Sequence, residues 1–229
     1  TDARVDEYFP AIDPNKLLAN QDNPDRVFST EVLAGIYVKD RADIHSNYFS
    51  SEQAGNNYLH PRKNFVNMSL FAGETQDYRF QAWWRTASNE SEGGYDFIKY
   101  EEIAQPAEKG ETEYFYAVFM SLIRLSEVYY IAAECEPVLA DKYEWLNRMR
   151  TRRGLPVLGV VSEEDFMKRL RMEYLREFLG EGQIFYLYKR LFSNINSDEN
   201  GYDTNTYGAK EERYVLPLPS GCLLYTSPS

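Results

Sequence analysis

The chain of 229 residues sets 36 Asp and Glu against 25 Lys and Arg, a net charge of −11. Such a surface repels phosphate backbones, so nucleic acid is excluded as a partner while neutral ligands stay open. With 43% hydrophobic and 27% charged residues it is globular in composition, and no apolar run approaches the length that spans a bilayer.

Thr1-Asp-Ala-Arg4 opens with neither an initiating Met nor a signal segment, so the chain reads as a piece of a longer protein. Residues 1–105 show little helical periodicity. Pro10, Pro14, Pro24, Pro61 and Gly55 break them, with Asn-rich turns between. A short helix is expected near Pro14–Asn20. Strands are expected at Glu31–Val38, Tyr78–Arg85 and Tyr95–Tyr100, where apolar and polar residues alternate. This stretch reads as a loop-rich lobe on a few strands.

Residues 106–219 differ. Val118, Leu122, Leu125, Tyr129 and Ala132 recur at three- and four-residue spacing, which predicts a helix of about five turns over Ala117–Cys135. Pro137 stops it. A second helix is expected over Asp141–Arg153, with Trp145, Leu146 and Met149 on one face and Gly154 and Pro156 as its end. The basic run Arg148–Arg153 there complements the negative end of the helix dipole. Ser162-Glu-Glu-Asp165 resembles a capping box. It opens a helix through Phe166, Leu170, Tyr174 and Phe178; Gly180 and Gly182 interrupt it, and Ile184–Leu191 resumes helical spacing. Two antiparallel helix pairs in sequence are the pattern of tetratricopeptide-like repeats. Asn194–Glu212 reads as a polar loop and Tyr214–Pro219 as an extended segment. The last stretch, 220–229, reads as a non-native tail.

Candidate sites are few. Tyr and Trp offer apolar faces with polar edges, suited to wet ligands. Trp83-Trp84 is the conspicuous pair; on a strand only one of the two would face a ligand. Loop residues Tyr48, Tyr58 and Tyr95 are the rings that would join it. Asn196-Ser-Asp-Glu-Asn-Gly201, then Asp203, resembles the start of a calcium loop, but its twelfth position is Tyr207 and the bidentate Glu is missing. A solvated loop is the simpler reading. Glu173, Glu177 and Glu181 share one helix face, as an acid/base pair would, yet Arg169, Arg171 and Arg176 lie nearby to pair with them. His45 and His60 are taken as surface residues, for no third metal ligand is suitably spaced. Cys135 is expected to be a buried thiol, Cys222 lies in the tail, and no disulfide, metal or cofactor is expected.

Four phrases stand in a fixed order: Arg124-Leu-Ser-Glu-Val-Tyr-Tyr-Ile-Ala-Ala-Glu134, Leu146-Asn-Arg-Met-Arg-Thr-Arg-Arg-Gly-Leu-Pro156, Glu177-Phe-Leu-Gly-Glu-Gly-Gln-Ile-Phe-Tyr-Leu-Tyr-Lys-Arg190 and Tyr214-Val-Leu-Pro-Leu-Pro219. Together they resemble the carboxy-terminal half of the SusD/RagB family. Departures are Leu187, where many relatives have Asp, Leu191 in place of Trp, and Gln183 in place of His.

The resemblance implies a mainly α fold, in which tetratricopeptide-like helix pairs support an irregular lobe of loops and short strands. It also implies a non-enzymatic role. Such proteins are outer-membrane lipoproteins that capture a glycan and deliver it to a TonB-dependent, SusC-like transporter. Sugar rings would then stack on Tyr48, Tyr58, Trp83, Trp84 or Tyr95. The alternatives are a tetratricopeptide-type scaffold that binds peptides, and a carbohydrate-active enzyme.

Overall fold

The computed structural model describes residues 2–19, 24–53, 58–61, 65–87, 94–103, 115–192, 194–196, 206–208, 211 and 214–215. They are mainly helical, with short strands in three two-stranded ribbons, as the helix-pair architecture requires. The chain divides into two compact units, Thr1–Glu177 and Phe178–Ser229. The tail from Ser220, Cys222 and most of the Asn196–Asp203 loop lie outside the described residues.

The first unit opens with α1 (Asp2–Tyr8) and a helical turn at Asn15–Ala19, close to the helix expected after Pro14. β1 (Val32–Tyr37) falls within the predicted strand. The segment Tyr78–Arg85, expected to be extended, instead forms α2 (Tyr78–Trp83) and then β2 (Trp84–Thr86). Asp77 caps α2 by accepting from the Arg79 amide at 2.9 Å. The buried residues of α2 are Arg79, Ala82 and Trp83, a helical spacing that a polar Arg disguises in the sequence. β2 pairs antiparallel with β3 (Tyr95–Phe97).

The long helix expected over Ala117–Cys135 splits in two. Phe119–Arg124 is β4, antiparallel to β1, and α3 is only Leu125–Cys135. Pairing with a strand far away in sequence overrides local periodicity here. Leu33, Ile36, Tyr37, Leu122 and Ile123 remain exposed on this ribbon. Cys135, at the end of α3, is exposed rather than buried, because the helix turns its outer face to solvent there.

α4 (Leu139–Arg152) returns along α3 as the expected antiparallel partner. Tyr129 meets Trp145 with ring centroids 5.6 Å apart, and Lys142 Nζ reaches the Glu134 carbonyl at 3.5 Å. Backbone bonds close α4. The Leu155 amide donates to the Arg150 carbonyl, Gly154 to Thr151 and Arg153 to Met149. Gly154 has φ +73, and an added Cβ would lie 2.6 Å from the Tyr78 ring.

The chain then doubles back as an extended strap along α4. Arg150 Nε donates to the Pro156 carbonyl, and Asn147 bonds both the amide and the carbonyl of Leu158. Tyr143 reaches the Ser162 carbonyl. The strap therefore starts α5 (Glu163–Phe178) at the end where α4 began, so the two helices run in the same direction. Ring contact between Tyr143 and Phe166 at their starts, and the Arg150–Glu173 pair near their ends, show it. As predicted, Ser162 Oγ accepts from the Asp165 amide at 3.1 Å.

The second unit holds α6 (Gln183–Leu191) and a small hairpin, β5 (Ile195–Asn196) with β6 (Thr206–Tyr207). Gly180 and Gly182, both at φ +78, break the helical run where the sequence placed the break. Tyr214 is buried against Phe185 and Phe192.

A network of buried ion pairs joins the lobe to the helices inside the first unit. Glu177 accepts from Arg153 at 2.8 and 3.0 Å and from Arg79 at 3.3 Å, with Arg124 3.6 Å away. Glu173, one turn earlier, takes Arg79 at 2.6 Å, Arg150 at 2.5 Å and Arg176 at 3.2 Å. Arg153 also grips Glu31 with two bonds, and Arg79 grips Asp77. Glu74 closes the edge by accepting from Arg150 and Arg176.

Burial by itself would raise the Glu173 carboxyl, but Arg79, Arg176 and Arg150 outweigh it and hold it at about 2. Burial likewise opposes ionisation of Glu177, yet Arg153 and Arg124 keep it far below the usual carboxylate range. Both groups bind protons more weakly folded than unfolded. The stability they contribute is therefore complete above their ordinary value of 4.5 and is lost as pH falls toward 2.

Two outcomes follow from this packing. Glu177→Gln leaves buried guanidiniums short of a counter-charge and should cost about 3–5 kcal/mol in chemical denaturation at pH 7, with a smaller penalty below pH 3. A penalty that does not change with pH would show that the ion pairs are not the source. Gly154→Ala should cost about 1–3 kcal/mol through positive φ and the Tyr78 contact, read as a lowered thermal midpoint.

Candidate functional site

The network removes one candidate. Glu173 and Glu177 are both buried with their oxygens committed to arginines, so neither is placed to exchange a proton with a ligand. The basic run has a further role. Arg150 and Arg152 stand in the last turn of α4, as expected, and with Arg153 they are also buried ion-pair partners, which the dipole reading left out. Arg148 stacks on Trp145 at 4.3 Å.

The five predicted aromatic residues divide. Trp83 is 1% exposed; its Nε1 donates to the Arg26 carbonyl at 2.7 Å, Phe28 packs 5.0 Å away and Lys99 Nζ lies 3.7 Å over the ring. Trp84 is 6% exposed against Phe97. Neither presents a face to a ligand, which corrects the expectation for both. The change from helix to strand between them turns both rings inward, where a continuous strand would have sent one out.

Tyr48 is 56% exposed on the helical turn His45–Phe49. Its carbonyl accepts from the Leu59 amide, which brings the segment carrying Tyr58 beside it. Tyr58 is half-buried next to His60. Tyr95 is half-buried, edge-on to Phe80.

Between these elements lies a cleft of about 640 Å³, lined by Asp43, His45, Ser51, Arg85, Asp96 and Glu101 together with Ala42, Ser46, Ser50, Glu52, Thr86 and Glu102. None of the five predicted aromatic residues lines it; Tyr48 and Tyr95 stand within three residues of groups that do. Strand pairing opposes Arg85 and Asp96 on the β2–β3 hairpin. Arg85 reaches Glu101 at 2.8 Å, and Arg26 reaches the other oxygen of Glu101 at 3.2 Å. Ser51 Oγ donates to Asp96 Oδ2 at 3.1 Å.

Two buried groups on this wall lack partners among the described residues: Asp96 Oδ1 and His45 Nε2. Asp96 is 5% and His45 9% exposed. His45 is thus not the surface residue expected from the sequence, whereas His60 is exposed. Burial pushes the His45 pKa down, partly offset by Glu101. The ring is therefore neutral at pH 7, able to accept or donate one hydrogen bond. Among the described residues no group of three or more His, Cys, Asp or Glu could hold a metal ion, and no helix is long and apolar enough to cross a membrane.

A second cavity of about 630 Å³ is lined by Asp6, Tyr129, Arg148 and Arg152 among others. Its charges are satisfied within the protein: Arg152 pairs with Asp6 at 2.5 Å and with Glu31 at 3.2 Å. Unsatisfied polar groups make the first cleft the better site. Sequence reasoning missed Arg85, Asp96 and Glu101. The signal was the alternation around Trp84-Arg-Thr86 and Tyr95-Asp-Phe97, which puts Arg85 and Asp96 on one face of any hairpin those strands form.

Because His45 binds its proton less readily folded than unfolded, it supports stability above its ordinary value of 6.5 and withdraws that support as pH falls. An NMR titration should give a His45 midpoint below 6.5. A midpoint above it would mean that the ring is wet or faces a stronger anion than Glu101.

The model of the SusD family matches residues 56–218. No curated protein matches the chain. A solved structure of a laminarin-binding SusD-like protein is similar at 21% identity and a TM-score of 0.42, covering 70% of this chain and 34% of that one. This chain thus spans about a third of that protein's length.

Proposed function

This chain belongs to the SusD family, and on that premise we propose that it binds a glycan without cleaving it. In the whole protein the binding would take place at the outer-membrane surface and serve delivery to a TonB-dependent, SusC-like transporter. The observation that carries the reading is the cleft between the His45–Phe49 turn and the β2–β3 hairpin, whose wall offers unpartnered polar groups. A sugar hydroxyl both donates and accepts. It can satisfy Asp96 and a neutral His45 at once, alongside Ser51 and Arg85.

Tyr48, exposed beside this wall, and Tyr58 next to it supply rings on which a sugar can stack. Binding without turnover suits the chemistry. The carboxylates best spaced for acid/base work are immobilised by arginines, and the acids of the cleft face an arginine and serines instead of a defined partner across a scissile bond.

A second reading, a helical scaffold for peptides, draws on Val128, Ile131 and Val138, which leave an apolar row exposed along α3 and its turn. The two readings separate by ligand.

A glycan array followed by calorimetry should show oligosaccharide binding with no reducing ends released. Tyr48→Ala should weaken it about tenfold, roughly 1.4 kcal/mol. Peptide binding with no glycan response would overturn the proposal. For the whole protein, co-purification of a TonB-dependent transporter from outer membranes tests the delivery role.

A further inference from the structure

The cleft carries more negative charge than its own cations balance. Asp43, Glu52, Asp96, Glu101 and Glu102 line it, against Arg85 as its lining cation. Arg85 is already engaged by Glu101, which Arg26 also holds from behind. His45, depressed by burial, adds no positive charge at neutral pH. Any ligand here meets a negative field that the concave wall focuses on it.

The second observation is Asp96 itself. It is 95% removed from solvent, one oxygen takes the Ser51 hydroxyl, and the other has no donor among the described residues. A buried carboxylate oxygen without a donor is costly to leave so. The ligand that relieves it best brings an N–H donor and a positive charge together. A uronic acid or sulfated sugar would add repulsion. A neutral sugar would supply a hydroxyl hydrogen bond but leave the surplus charge unbalanced.

We infer that this cleft is a subsite for an amine-bearing sugar unit, its ammonium donating to Asp96 Oδ1 while a neighbouring hydroxyl pairs with His45 Nε2. The inference rests on the glycan reading and adds to it the charge class of the sugar. Glu102, exposed at the rim, strengthens the field without touching Asp96.

The test compares three oligosaccharide probes of equal length on the full chain by calorimetry: a glucosamine oligomer, its N-acetylated counterpart and a galacturonate oligomer. The glucosamine oligomer should bind at least about tenfold tighter than the N-acetylated one at low salt, and galacturonate should not bind. Raising NaCl to about 0.5 M should shrink the preference, since screening acts on charge and spares hydroxyl contacts.

Asp96→Asn should abolish the preference, with circular dichroism confirming that the variant is folded. Glu102→Gln, a surface change, should lower it about twofold to threefold. Neutral oligosaccharides binding as well as the amine-bearing one, or a preference that survives Asp96→Asn, would overturn the inference and leave glycan binding standing. Failure of all three probes together with the wider array would remove both.

Discussion

Buried arginine–carboxylate pairing is the constraint on which the first unit depends. Glu173 and Glu177 come from α5, Arg150 and Arg153 from the end of α4, Arg124 from the β4–α3 junction, and Arg79, Asp77, Glu74 and Glu31 from the lobe. Burying so many charges is tolerable only when every one is matched, because the desolvation cost of an unpaired ion exceeds what packing returns. Apolar surfaces can slide past one another at little cost. A guanidinium held by two carboxylates cannot, since its five N–H groups lie in one plane with fixed directions. The network thus fixes how α4, α5 and the lobe meet.

That rigidity is passed on to the cleft. Arg79 and Asp77 anchor the start of α2, and Trp83 ends it with its indole N–H on the Arg26 carbonyl. The chain then leaves as β2, carrying Arg85 into the cleft wall, while Arg26 itself reaches Glu101 on the far side. Lys99 lies over the Trp83 ring and is almost wholly buried. Arg85 and Asp96 of the wall are therefore each next to a group locked in the interior, Trp84 and Phe97. Preorganisation of this kind lowers the entropy that binding must overcome.

The two sets of acids show how environment divides one residue type between structure and recognition. Glu173 and Glu177 are more deeply buried than Glu101 or Glu102, yet their oxygens are saturated and their charge is neutralised locally. Asp96 is buried with an oxygen left over. Proximity of carboxylates indicated the first set in the sequence. Unmet hydrogen-bonding capacity, visible only in three dimensions, indicates the second.

Much of the helical half was legible in the residues. α4, α5, the glycine break at 180–182 and α6 follow from apolar spacing, Ser162, Gly154 and the two glycines, because those signals are local. The ordered phrases around Arg124, Arg153, Glu177 and Tyr214 also sufficed to identify the family. Where distant partners decide, local signals misled. Phe119–Arg124 reads as helix until Val32–Tyr37 pairs with it, and Tyr78–Trp83 reads as strand because a buried Arg79 hides the helical period. The basic run at 148–153 reads only as cations at a helix end; its partners Glu31, Glu173 and Glu177 come from more than twenty residues away. The sequence by itself determined helix positions, caps and kinship, since these depend on neighbours a few residues apart. Tertiary structure alone decided that Trp83 and Trp84 are interior, that His45 and Asp96 face one cleft, and which charges are spent, because burial and pairing belong to segments that only folding brings together.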